Sequence, residues 1–267
     1  MKKKFLLLPL FALGLFSCTI STKSVTLSGA LVEKSFQENA GLDGSSAFDV
    51  DFKNFVLTKG GIHLRPAYRQ NSSASDEATI ASVETGLKPL VKVTASQGFF
   101  DAGFNVTYSG NKISCSFSSP YRFDGTEVTI DVYANARSIS LSGGSALTLD
   151  VSRSSSLDLD ITGSSSISFE KALALSSLAL SVSGSADFEA SGIATSVRYQ
   201  VSGTASIKSK ELLSEDVKID ISGSGNAVVS ASKTLAVNIA GVGNVTYYGD
   251  PAITRSISGI GNLSKGN

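Results

Sequence analysis

Val217-Lys218-Ile219-Asp220-Ile221-Ser222-Gly223-Ser224-Gly225-Asn226-Ala227 carries the pattern on which the fold turns. Apolar and polar side chains alternate up to Ile221, and two serines, two glycines and an asparagine then interrupt the alternation. Aligned on one glycine each, the pattern recurs at Gly143, Gly163, Gly184, Gly203, Gly223, Gly241 and Gly259, with spacings of 20, 21, 19, 20, 18 and 18 residues. Two residues before each glycine stand Leu141, Ile161, Val182, Val201, Ile221, Ile239 and Ile257. Four residues after it stand Leu147, Ile167, Phe188, Ile207, Ala227, Val245 and Leu263. A period of two places one face of a strand in a core, and an outer period near twenty residues is that of a solenoid.

Small residues flank the glycine on both sides. Ser142, Thr162, Ser183, Ser202, Ser222, Ala240 or Ser258 precedes it, and Ser145, Ser165, Ala186, Ala205, Gly225, Gly243 or Gly261 stands two places after it. Such residues let the chain turn a corner and let neighbouring windings approach closely. One winding cannot bury its own apolar side, but stacked windings build a continuous interior. The sequence therefore predicts an all-β chain folded as a parallel β-helix of about twenty-residue coils, right-handed by the general chirality of strand crossovers. A two-sheet antiparallel sandwich is the competing arrangement, because alternation alone would suit it too.

Upstream of the repeat the chain divides into further parts. Lys2, Lys3 and Lys4 precede an apolar run from Phe5 to Phe16, too short for an ordinary membrane span and built like an export signal. Its end, Leu15-Phe16-Ser17-Cys18, resembles the bacterial lipobox. That resemblance implies cleavage after residue 17, lipidation of Cys18 and a partner membrane reached through the lipid, with residues 18–44 as a polar tether holding room for one strand over Val25–Leu31. Residues 45–135 lack the glycine register and read as irregular early coils of the same stack, with Gln70–Glu77 as a polar loop. Residues 136–267 are the regular repeat. The expected location is the bacterial envelope, lipid-anchored at the outer membrane, on its periplasmic or surface face.

Without residues 1–17 the chain has 20 cations against 23 anions, which gives no footprint for nucleic acid. Cys115 lies on the apolar side of its strand and reads as a small buried side chain, so no intramolecular disulfide framework is expected. Phe99-Phe100 with Phe104 is the densest aromatic cluster, read as an end cap or core packing, with a docking spot as the alternative. His63, the one histidine, falls on the outward side of Ile62-His63-Leu64. With two separated cysteines and one histidine, neither a zinc site nor a catalytic triad is expected, and no cofactor. The third place after the glycine holds Ala146, Ser166, Asp187, Ser206, Asn226, Asn244 or Asn262. One carboxylate is too few for a calcium ladder, whereas stacked amides suit an asparagine ladder. The pairs Asp49 with Asp51 and Asp158 with Asp160 are the remaining candidates for glycoside hydrolysis, against the simpler reading of solvated strand faces. The chain is not read as an enzyme.

The segments Ile221-Ser222-Gly223-Ser224-Gly225-Asn226 and Ile239-Ala240-Gly241-Val242-Gly243-Asn244-Val245 carry a family resemblance. So do Tyr247-Tyr248-Gly249-Asp250-Pro251 and Ile257-Ser258-Gly259-Ile260-Gly261-Asn262-Leu263. Together they resemble the family called putative auto-transporter adhesin, head GIN domain, from about Thr126 onward and more weakly over Ser45–Tyr121. The resemblance implies a β-helical fold and an extracytoplasmic, adhesive role, and it brings no catalytic residues. Ser264 to Asn267 are expected to leave no room for the barrel of an auto-transporter. The surface, rich in Ser, Thr and Asn and poor in charge, suits a glycan or protein ligand. A non-adhesive envelope scaffold and a carbohydrate-acting enzyme are the alternatives.

Overall fold

Ile161, Val182, Val201 and Ile221 lie one above another, each in register with the next across parallel strands. The same file extends to Ile239 and Ile257 in one direction and to Leu141 and Phe52 in the other. A second file joins Leu147, Ile167, Phe188, Ile207, Ala227, Val245 and Leu263, again in parallel register. These are stacked coils, not opposed layers. The sequence period is therefore the winding of a β-helix, and the sandwich is excluded.

The computed structural model describes residues 22–37, 46–67, 89–152 and 154–267. The export signal, Cys18 and the loop Gln70–Glu77 lie outside the described residues. Toward the C-terminus the coils gain a third short strand, which stacks Leu173, Gly192 and Leu212 in one row and Leu175, Ala194, Ser214 and Ala231 in the next. Side chains of alternate parity from all three files point inward, and Val50, Ile139, Ile161, Val182, Ile219 and Ile239 are fully buried. Each such burial stabilises by about 1.5–3 kcal/mol. Tyr199 is also fully enclosed, its ring centroid 5.8 Å from that of Phe188.

The corner between the first and second files shows why glycine recurs. The N–H groups of Ser202 and Gly203 both donate to the carbonyl of Val182, at 2.8 and 3.1 Å, and Thr204 donates to the carbonyl of Gly184 at 2.8 Å. The Ser202 hydroxyl adds a longer bond to the Val182 carbonyl, 3.3 Å. Ser222-Gly223-Ser224 repeats these contacts one coil on. None of the seven register glycines has a positive φ, so conformation does not demand them. Space does. A Cβ on Gly184, Gly203, Gly223, Gly241 or Gly259 would overlap the carbonyl oxygen of the glycine one coil below.

The N-terminal half departs from sequence order. The strand Ala47–Arg65 bends at Asn54, φ 66°, and forms a whole coil by itself. Residues 112–133 form another coil, and the strand Ala47–Arg65 pairs with it on one side and with residues 135–149 on the other. The first coil in the chain is thus second in the stack. Beyond the outer coil sit an added parallel strand, Lys23–Leu27, and the antiparallel strands Leu31–Gln37, Leu90–Ser96 and Asn105–Ser109. Two strands therefore occupy part of the segment read from sequence as a tether, where one had been expected. The short helix Gln97–Asp101, not anticipated from the sequence, drops Phe99 into this end of the core against Phe104, Phe117 and Phe123, with centroids 5.1, 5.1 and 4.8 Å away. The cluster packs the core; Phe100 beside it stays half-buried.

Two glycine substitutions separate the roles of space and conformation. Gly203→Ala should destabilise by about 2–4 kcal/mol, since a methyl has to displace backbone rather than a flexible side chain. Gly225→Ala should change stability by less than about 1 kcal/mol, because its methyl would meet the Ala205 carbonyl at 3.2 Å and Val201 at 3.5 Å. Urea unfolding of both variants beside the wild type measures the difference.

Candidate binding face

Inward burial of one parity in the second file leaves the other parity outside. Ser164, Ser185, Thr204 and Ser224 form one outward row, and Ser166, Asp187, Ser206, Asn226, Asn244 and Asn262 form the next. Neighbouring members are set about 4.8 Å apart by the strand spacing. A shallow trough of about 670 Å³ runs over these rows, with Arg122 and Thr58 at its N-terminal edge. Asn244 donates both its backbone N–H, at 3.2 Å, and its side-chain amide, at 3.4 Å, to the Asn226 Oδ1. That is one rung of an asparagine ladder, and Asn262 continues it by register. The face offers hydroxyl and amide donors and acceptors at a fixed interval, which suits a polar partner with a repeat of its own. Asp187 is the one carboxylate in its row, and among the described residues no group of three His, Cys, Asp or Glu side chains converges as a metal site.

The acidic pairs do not converge on a catalytic centre. Arg137 donates to both oxygens of Asp49, at 2.8 and 3.0 Å. Asp51, nearly buried, is paired with Lys112 and with Lys53, the latter at 3.0 Å. Burial raises the Asp51 carboxyl, but the two lysines outweigh it and hold the group below the ordinary 3.8; the hydrogen bond from Arg137 does the same for Asp49. Carboxyls held ionised in this way are unsuited to the proton-donor role in glycoside hydrolysis. Asp158 and Asp160 project from an exposed strand face, with Ser138 and Ser140 in register on one side and Ala179 and Ser181 on the other.

His63 faces outward, as its parity requires, but it is not merely solvated. Its Nδ1 lies 3.1 Å from Asp131 Oδ1, and Thr148 is its register neighbour on the opposite strand. Cys115 is fully buried against the core, and burial pushes its thiol well above the ordinary value. One feature has no counterpart in the sequence reading. On the third file, Ile193 and Leu213 are in-register neighbours, 59% and 62% exposed, beside a groove of about 600 Å³ that also touches Leu175 and Tyr248. Lys210 sits 4.4 Å over the Tyr248 ring.

Fold and face together define a β-helical module with one regular polar face. Residues 74–251 match the family described as putative auto-transporter adhesin, head GIN domain, and the chain belongs to that family. No curated protein matches its sequence. Among solved structures it is similar to a putative adhesin from Bacteroides fragilis, with 17% identity, 90% of this chain and 99% of that one covered, and a TM-score of 0.68. It is also similar to a putative adhesin from Parabacteroides distasonis, with 17% identity, coverage of 91% and 100%, and a TM-score of 0.57. A protein from the same species called a putative lipid binding protein matches at 18% identity, with coverage of 92% and 100% and a TM-score of 0.58. At such identities these likenesses speak for the fold. No helix among the described residues is long and apolar enough to cross a membrane.

The ion pairs of Asp49 and Asp51 give the fold an acid dependence with a defined sign. Carboxyls lowered by folding stabilise above their unfolded pKa, and that contribution is lost as pH falls through the folded value. Thermal midpoints should hold from pH 7 toward pH 4 and decline below it. Asp51→Asn should lower the midpoint at neutral pH and make the decline below pH 4 shallower, which scanning calorimetry across the series reads directly.

Proposed function

We propose that the protein is a lipid-anchored adhesin of the bacterial cell envelope whose outward Ser/Thr/Asn rows bind a glycan. The observation that supports this reading most is the regular row of hydroxyls and amides over the trough. Many individually weak hydrogen bonds, each worth about 0.5–1.5 kcal/mol, add up only against a partner whose own groups repeat. Membership of a family described in terms of adhesion agrees with it, and Asp187 is the single charged residue in the two rows. In this reading Cys18 carries the lipid, the protein sits at the outer membrane, and it performs no catalysis.

A second reading, an envelope scaffold that binds another protein, draws on the exposed Ile193–Leu213 stripe. The two readings use different faces of the coil, so substitutions separate them. On a glycan array, the mature chain should bind, the double variant Ser166→Arg/Ser206→Arg should lose at least tenfold in apparent affinity, and Leu213→Asp should bind like wild type. Loss with Leu213→Asp instead, with the arginine variant unaffected, transfers the function to the apolar stripe. No binding by any form removes the glycan. For the anchor, metabolic labelling with an alkynyl palmitate should mark the wild type and leave Cys18→Ala unmarked; equal labelling contradicts lipidation.

A further inference from the structure

The fold begins close behind the proposed lipid. The strand Lys23–Leu27 is the outermost parallel strand at the N-terminal end of the stack, paired to residues 121–125. Only Thr19, Ile20, Ser21 and Thr22 separate it from Cys18. Even fully extended, the chain from Cys18 to Lys23 reaches at most about 18 Å. The stack from residues 121–125 to residues 260–264 has nine strands in its second file, so its length is roughly 40 Å at the usual strand spacing. An anchor at Cys18 can therefore hold only one end of the coil near a bilayer.

That end has the chemistry of a surface resting on lipid headgroups. Lys34 lies 4.2 Å over the Phe100 ring and Lys23 lies 5.5 Å over the Tyr121 ring. Leu31, at the start of the outermost antiparallel strand, is 52% exposed. Lysines extended over aromatic rings present an apolar body with a charged tip, an arrangement that suits the boundary between headgroup and acyl chain. Glu33, Asp101 and Asp124 stand in the same region, so the end is not strongly basic and electrostatic attraction alone would hold it weakly.

We infer that the N-terminal cap, formed by strands Lys23–Leu27 and Leu31–Gln37 and helix Gln97–Asp101, is a membrane-facing surface. The four-residue link holds it against the bilayer, and the coil axis stands away from the lipid. This places the hydroxyl rows along an upright wall rather than against the membrane. The inference rests on the proposed lipidation of Cys18.

The sequence contains no tryptophan, and Cys115 is fully buried, so the mature chain can be coupled through Cys18 alone and given one reporter. Coupling to phosphatidylcholine vesicles bearing maleimide-headgroup and dansyl-headgroup lipids supplies the anchor whatever the cell does with Cys18. Failure of the orientation is thereby distinguished from failure of lipidation, which palmitate labelling reads separately. Energy transfer from Thr107→Trp, on the strand Asn105–Ser109 at the same end of the stack, should exceed that from Ser264→Trp, in the last coil, several-fold. A long Gly/Ser insert between Cys18 and Lys23 should bring the two signals together. Equal transfer from both positions, meaning a coil lying on its side, overturns the inference. So does a larger transfer from Ser264→Trp than from Thr107→Trp.

Discussion

Each corner of this coil rests on the backbone of the corner beneath it, with no side chain between them. From Ser183-Gly184 onward two consecutive N–H groups share one carbonyl below, and the following residue bonds to the glycine carbonyl of the same lower corner, so the polar backbone stays satisfied where the strands bend. That arrangement brings successive glycines too close for any Cβ. The inward files inherit their register from these contacts. Ile161 meets Val182 and Ile167 meets Phe188 because Gly163 and Gly184 hold the corners in line.

The same register makes the outer surface periodic. Once one parity is committed to the core, the other is displayed at the strand spacing, and the chain fills those places with Ser164, Ser166, Ser185, Thr204 and Ser206. Serine and threonine at such positions neither strengthen the core nor pair with one another strongly. They present hydroxyl groups on the exposed face at the spacing of the strands. Where charges do occur in numbers, as at Asp49 with Arg137 and Asp51 with Lys53 and Lys112, they neutralise one another and tie the first coils together.

The regular part of the fold was legible because its repeat is local: every coil states its own inward residues and its own corner. The insertion of residues 47–65 between two coils from later in the chain was not legible, since it depends on pairings across some sixty to ninety positions that no period announces. The helix Gln97–Asp101 is too short to show a helical period, although Phe99 and Phe104 marked the place as apolar. His63 had the outward direction its neighbours require, but Asp131 reaches it only because two distant strands pair side by side. The Ile193–Leu213 stripe has no local signature in the sequence for a related reason. Each residue alone looks like an exposed apolar side chain, and only stacking makes them adjacent.

A disulfide test addresses the stacking itself. Ser166 and Asp187 are register neighbours in adjacent coils, whereas Ser206 lies one coil further on. Adjacent strands fall within the Cα separation of about 4.4–6.8 Å that a disulfide accepts, and strands two apart do not. Under mild oxidation the pair Ser166→Cys/Asp187→Cys should form an intramolecular disulfide nearly completely, and Ser166→Cys/Ser206→Cys should stay reduced, as read by mass spectrometry. Cross-linking of the second pair, or of neither, would contradict the stacked coil.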